Sequence, residues 1–79
     1  MAKDAKYGDI QVSHGTIDED EPVVLFRAQD AHLPVLLRIY ESICMAHGSP
    51  WEHTESVDAA RRKVEDWQAA HGDRVKLPD

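Results

Sequence analysis

The stretch "AHGSPWE", residues 46–52, constrains this chain more than any other, because it stops one helix and starts another within a few residues. Gly48 suits the left-handed conformation that closes a helix. Ser49 then offers an N-cap, Pro50 fits the first helical position, and Glu52 completes a capping box. Periodic apolar residues lie on both sides of this signal. The reading is two helices joined by a tight link, and so antiparallel neighbours.

The first helix is announced by Asp30 as an N-cap, with Pro34 tolerated in the first turn. Leu33, Leu36, Leu37, Tyr40, Ile43, Cys44 and His47 follow at the spacing of one helical stripe. Val35, Ile39 and Met45 fall off that stripe. A helix apolar on more than one side must be covered on more than one side, so these three are candidate residues for an oligomer interface or for docking into a larger assembly. The second helix runs from Pro50 to about His71, continuously or with a break near Thr54–Ser56. Its firm part is "SVDAARRKVEDWQAAHG", where Val57, Ala60, Val64, Trp67 and His71 share a face. Asp58–Arg62, Arg61–Glu65 and Arg62–Asp66 are opposite charges four apart, placed on the solvent side. Gly72 is the expected stop.

Upstream, "DIQVSH" (9–14) alternates with period two, and "PVVLFRAQ" (22–29) is rich in β-branched and aromatic residues. The simplest pairing is an antiparallel hairpin whose loop holds His14, Gly15 and a run of acids. Two strands alone are marginal, so helices must cover one face. The fold expected is therefore α+β, an antiparallel β-hairpin followed by an antiparallel two-helix hairpin (ββαα). It forms a single small domain over 9–72, with a flexible stretch at 1–8 and an extended tail at 73–79.

A 79-residue chain buries little of its surface, and five large aromatics must supply much of its core. Dimerisation or a partner surface is a natural supplement. The net charge of −6 argues against nonspecific binding to nucleic acid or anionic membranes and favours a basic protein partner. The single cysteine, Cys44, forms no intrachain disulfide, and no apolar stretch approaches the length of a signal core or a membrane span. This reads as a cytoplasmic protein.

Chemistry has few footholds here. Cys44, His47 and His53 surround the helix–helix turn and are of zinc-ligand type, but no C-x-x-C or H-x-x-x-H spacing supports them. Cys44 as a nucleophile would need an activated, accessible thiolate, whereas it sits on the most apolar helix. The glycines are isolated, which excludes a phosphate-binding loop. No catalytic residue and no cofactor are assigned, and the chain is read as a non-enzyme. "ARRKVEDW" is self-neutralised by its own acids.

That leaves Asp18, Glu19, Asp20 and Glu21, which precede the second strand. Their spacing does not fit an EF-hand. Solvation of a loop is their simplest role, and recognition of a basic partner is the functional alternative, with Asp9 and Asp30 extending the patch. Residues 1–30 carry seven acids and three bases, so the negative charge is concentrated in this half.

From about Pro22 onward the chain resembles small phage- and prophage-encoded proteins that have no established activity. The resemblance rests on "PVVLFRAQD", the long apolar helix and the ending "VEDWQAAHGDRVKLPD". It implies no functional residue, and residues 1–21 lie outside it. The expectation that follows is a non-enzymatic inhibitor of phage type, similar to anti-CRISPR proteins, that blocks a basic nucleic-acid-binding surface of a protein partner by acidic mimicry or steric capping. The alternative is a structural or accessory subunit that dimerises or docks through its apolar first helix.

Overall fold

The computed structural model describes residues 2–4 and 6–77. Three short strands, β1 (Ala2–Asp4), β2 (Gly8–Ile10) and β3 (Pro22–Val23), precede two helices, α1 (Leu33–Ala46) and α2 (Trp51–Ala70). A 3₁₀ turn, Gly72–Arg74, follows. The class is α+β.

The helix–helix junction forms where the sequence places it. Gly48 takes φ +72°. The Ser49 amide donates to the Cys44 carbonyl at 2.9 Å and the Gly48 amide to that of Met45 at 3.2 Å, which is the bonding of a Schellman close. Pro50, with ψ 142°, is the last residue outside α2, and no side chain caps the helix. The start therefore lies one residue later than the Ser49 cap and capping box predict. α2 then continues unbroken for 20 residues. It returns along α1, so that Arg38 early in α1 meets Glu65 late in α2 at 3.0 Å.

The other end of α2 closes without a left-handed glycine. Gly72 is not among the positive-φ residues. The chain tightens into the 3₁₀ turn instead, with the Arg74 amide donating to the His71 carbonyl at 2.8 Å.

The strands differ from the expected hairpin. β2 pairs antiparallel with β1, Ala2 opposite Ile10, and β3 pairs parallel with β1, Lys3 opposite Pro22. The sheet order is β2-β1-β3. Gly8–Ile10 and Pro22–Val23, the paired parts of the two expected strands, thus lie on either side of residues 2–4, which fall within the stretch expected to be flexible. The alternation in "DIQVSH" signals a strand but does not name its partner, and the short β1 supplies edges to both neighbours. It also limits them, since the ladder with β3 ends at Asp4 opposite Val23. Val24, Leu25 and Phe26 consequently leave the sheet exposed.

Asp30 does not cap α1. Its carboxylate accepts from the His32 amide at 2.8 Å, and His32 is the boundary residue, with no side-chain cap. This tight turn launches the helix, with Pro34 in its first turn. The turn is tied down twice. The Gln68 amide of α2 donates to the carbonyls of Ala28 and Asp30 at 2.9 and 2.8 Å. Residues from the 73–79 segment lie beside it: the Ala31 amide donates to the Lys76 carbonyl and the Lys76 amide to that of Gln29, both at 2.9 Å.

The core is small. Leu33, Cys44 and Val57 are the buried apolar residues among those described, and no described side chain is completely enclosed. Leu33 and Cys44 belong to α1 and Val57 to α2.

Candidate functional site

α1 carries two apolar faces, and only one is covered. Leu33 and Cys44 are buried and Leu37 is half-buried; they lie at the four- and seven-residue spacings of a single helical row. On the adjacent arc, Leu36, Ile39 and Ile43 follow at spacings of three and four, and Val35 lies beside Ile39 one turn earlier. These four are 40–59% exposed, and Tyr40 at the margin is exposed as well. The three-four spacing gives one continuous apolar face, or seam, along the helix. The main inter-element contacts of α1 are with α2, and those of the strands are with one another.

Of the predicted interface residues, Val35 and Ile39 belong to this seam and Met45 does not. Met45 is exposed, but six residues beyond Ile39 it is rotated about 120° away from it. The seam also includes Leu36 and Ile43, which the sequence reading assigned to the inward stripe. An amphipathic pattern this wide does not say which of its edges the second helix covers. That choice is made by α2, whose own apolar row is narrow.

The flank of α1 nearest α2 is held by charge. Arg61, assigned to the solvent side of α2, is instead half-buried between the helices. It donates to Glu65 at 2.7 Å and to Asp58, and its Nε lies 3.9 Å from Glu41 of α1. The bond to Asp58 is the leading reason that its guanidinium is held above its usual range, with the charges of Glu65, Asp58 and Glu41 adding to it and burial opposing. The expected Asp58–Arg62 pair forms at 2.9 Å. The expected solvent-side row is thus partly a clamp between α1 and α2.

On the other flank, the Tyr40 hydroxyl and His53 Nε2 are 3.3 Å apart, with their rings edge to face. The Tyr40 phenol is raised above its usual 10.0, first by its hydrogen bond to Cys44, then by that group's charge and by desolvation. Cys44 is buried. Among the described residues no three His, Cys, Asp or Glu side chains gather into a metal site. The alternative set Cys44, His47 and His53 is therefore not assembled: Cys44 turns into the helix interface, while the His53 ring is turned to Tyr40.

The acids separate by role. Asp18, Glu19, Asp20 and Glu21 are all exposed, on a turn closed by the Glu21 amide donating to the Asp18 carbonyl at 3.1 Å. Asp9 is an exposed residue of β2. Asp30 is half-buried and occupied at the launch of α1, which removes it from a free acidic surface.

A cleft of about 170 Å³ lies between residues 6–7, the 25–30 segment and Lys76, with Tyr7 and Phe26 in its wall. It is smaller than the roughly 300 Å³ at which small-molecule sites begin. No described helix is long and apolar enough to cross a membrane. No protein-family model, curated protein or solved structure matches this chain.

Proposed function

We propose that this protein is a non-enzymatic protein-interaction subunit whose contact surface is the outer face of α1. One observation carries the reading: an uncharged seam of Leu36, Ile39 and Ile43, with Val35 beside it, stands about half exposed on a helix whose adjacent face is already packed. Fully burying an aliphatic side chain of this kind is worth roughly 1.5–3 kcal/mol. Covering the exposed half of each contributes about 1 kcal/mol, or about 4 kcal/mol for the four. That is a large quantity for a domain with three buried apolar residues among those described.

A second reading attaches to the acidic turn. Asp18 to Glu21 place four exposed carboxylates on one closed turn, a charge density suited to the basic surface of a nucleic-acid-binding protein. Inhibition of phage type, by acidic mimicry or capping, would act there.

One experiment separates the two. A photo-crosslinking residue is placed at Ile39, at Asp20, or at Lys63 as an exposed control, and the protein is irradiated in the cell that makes it. Adducts from Ile39 and none from Lys63 are expected. Adducts from Asp20 alone would transfer the function to the acidic turn, and silence at all three positions would end both readings.

A further inference from the structure

We infer that the occupant of the α1 seam is a second copy of the same face, two helical hairpins pairing α1 against α1 into a four-helix bundle. This rests on the reading of α1 as the contact surface and names its partner.

The seam is self-complementary. Antiparallel pairing about a two-fold axis near residues 39 and 40 sets Leu36 against Ile43 of the copy and brings the two Ile39 side chains together. A closed isologous contact requires that kind of correspondence. Charge points the same way. The ionic side chains of α1 are Arg38 and Glu41. Arg38 is paired with Glu65 at 3.0 Å, and Glu41 lies 3.9 Å from Arg61. Neither presents an uncompensated charge to the seam. Residues 1–30, outside α1, carry −4 of the chain's net −6, so two acidic copies can meet through this uncharged face. A basic partner would find nothing on α1 to attract it.

The need is also internal. With Leu33, Cys44 and Val57 as the buried apolar residues among those described, the hairpin has a small apolar interior of the kind that small domains supplement by oligomerising, whether or not another protein is at hand. The area sets the strength. The 14 residues of α1 extend about 21 Å. The four aliphatic residues and Tyr40 offer roughly 300 Å² of apolar surface per chain, by the transfer coefficient and typical aromatic areas. A standard interface covers ~800 Å² on each partner. The dimer is therefore weak and readily reversible.

Sedimentation equilibrium of the purified full chain over a wide concentration range tests this. The expected result is a weight-average mass rising from the 8.9 kDa monomer toward twice that value. Ile39→Lys, which sets two ammonium groups near the axis, should weaken association at least about tenfold. An independent check avoids dependence on that variant. Under copper–phenanthroline oxidation, Ile39→Cys should form a covalent dimer readily, while Val24→Cys, more exposed but off α1, should not. A dimer indifferent to Ile39→Lys, or equal cross-linking from both cysteines, overturns the inference. A strict monomer whose Ile39 photo-crosslinker still captures other proteins overturns self-pairing and leaves the contact-surface reading standing. A strict monomer with no adduct overturns both.

Discussion

Gln68→Met should loosen the start of α1 without unfolding the helical hairpin. The Gln68 side-chain amide of α2 reaches the 28–30 turn, donating to Ala28 at 2.9 Å and to Asp30 at 2.8 Å. Methionine keeps the length of the side chain and removes both donors. A hydrogen bond of this kind contributes about 1 kcal/mol net. The Asp30 carbonyl retains the Leu33 amide at 3.1 Å, so only the Ala28 carbonyl loses its partner altogether. The expected cost is about 2 kcal/mol, a factor of roughly thirty in the opening constant of this turn. Hydrogen exchange followed by NMR reads it amide by amide. Ala31 and Lys76, whose amides close the bridge between the turn and the C-terminal segment, should lose protection by about that factor. Amides in the middle of α2 should change much less. Uniform loss across both helices would refute the reasoning, because Gln68 would then be a global core residue. Unchanged exchange at Ala31 and Lys76 would show that the turn is held by something else.

Gly48→Ala adds a methyl that meets no atom within 4 Å, so its cost is the backbone strain at φ +72° alone. About 1–2 kcal/mol should appear as a lower urea midpoint, and Gly48→Asn should recover part of it. In a Tyr7→Phe background, absorbance at 295 nm should show Tyr40 titrating above 10.0, and Cys44→Ala should bring it back down. Because the folded chain holds that proton more tightly, the associated stability is complete below pH 10.0 and declines as pH rises through the folded value of Tyr40. Cys44 is buried, so its reaction with a thiol reagent should be slow in buffer and accelerate in urea in step with loss of helix. A fast reaction in buffer would place the thiol at the surface.

Much of the helical half is legible in the sequence because its signals are local. Gly48, Pro50 and Pro34 act on their own backbone, and the period of Val57, Val64 and Trp67 is carried by one helix. What the sequence withheld depends on partners distant along the chain. Alternation in "DIQVSH" fits any neighbouring strand, and residues 2–4 carry too little pattern to announce themselves as that neighbour. Asp30 has the chemistry of an N-cap, and its competing bond to the His32 amide decides the matter only once the turn is fixed by Gln68 and Lys76. For the candidate site, Val35 and Ile39 were visible as apolar residues off the main stripe. Leu36 and Ile43 were not, since both edges of a wide apolar arc look alike until α2 covers one. Arg61 is hidden for a related reason: an i,i+4 pair with Glu65 reads as surface, and only the approach of Glu41 from α1 brings it inside.

The most direct test of the account is the solvent accessibility of the Ile39 and Ile43 δ1 methyls, measured as relaxation enhancement by a soluble paramagnetic probe while protein concentration is raised. Ile10 and Ile17, outside the helices, serve as internal references. In dilute solution all four methyls should respond. At high concentration Ile39 and Ile43 should become shielded together while the references do not change. Seam methyls that stay as accessible at high concentration as in dilute solution would contradict α1 as a self-pairing surface. Seam methyls already shielded in dilute monomer would contradict the exposed face on which the whole account stands.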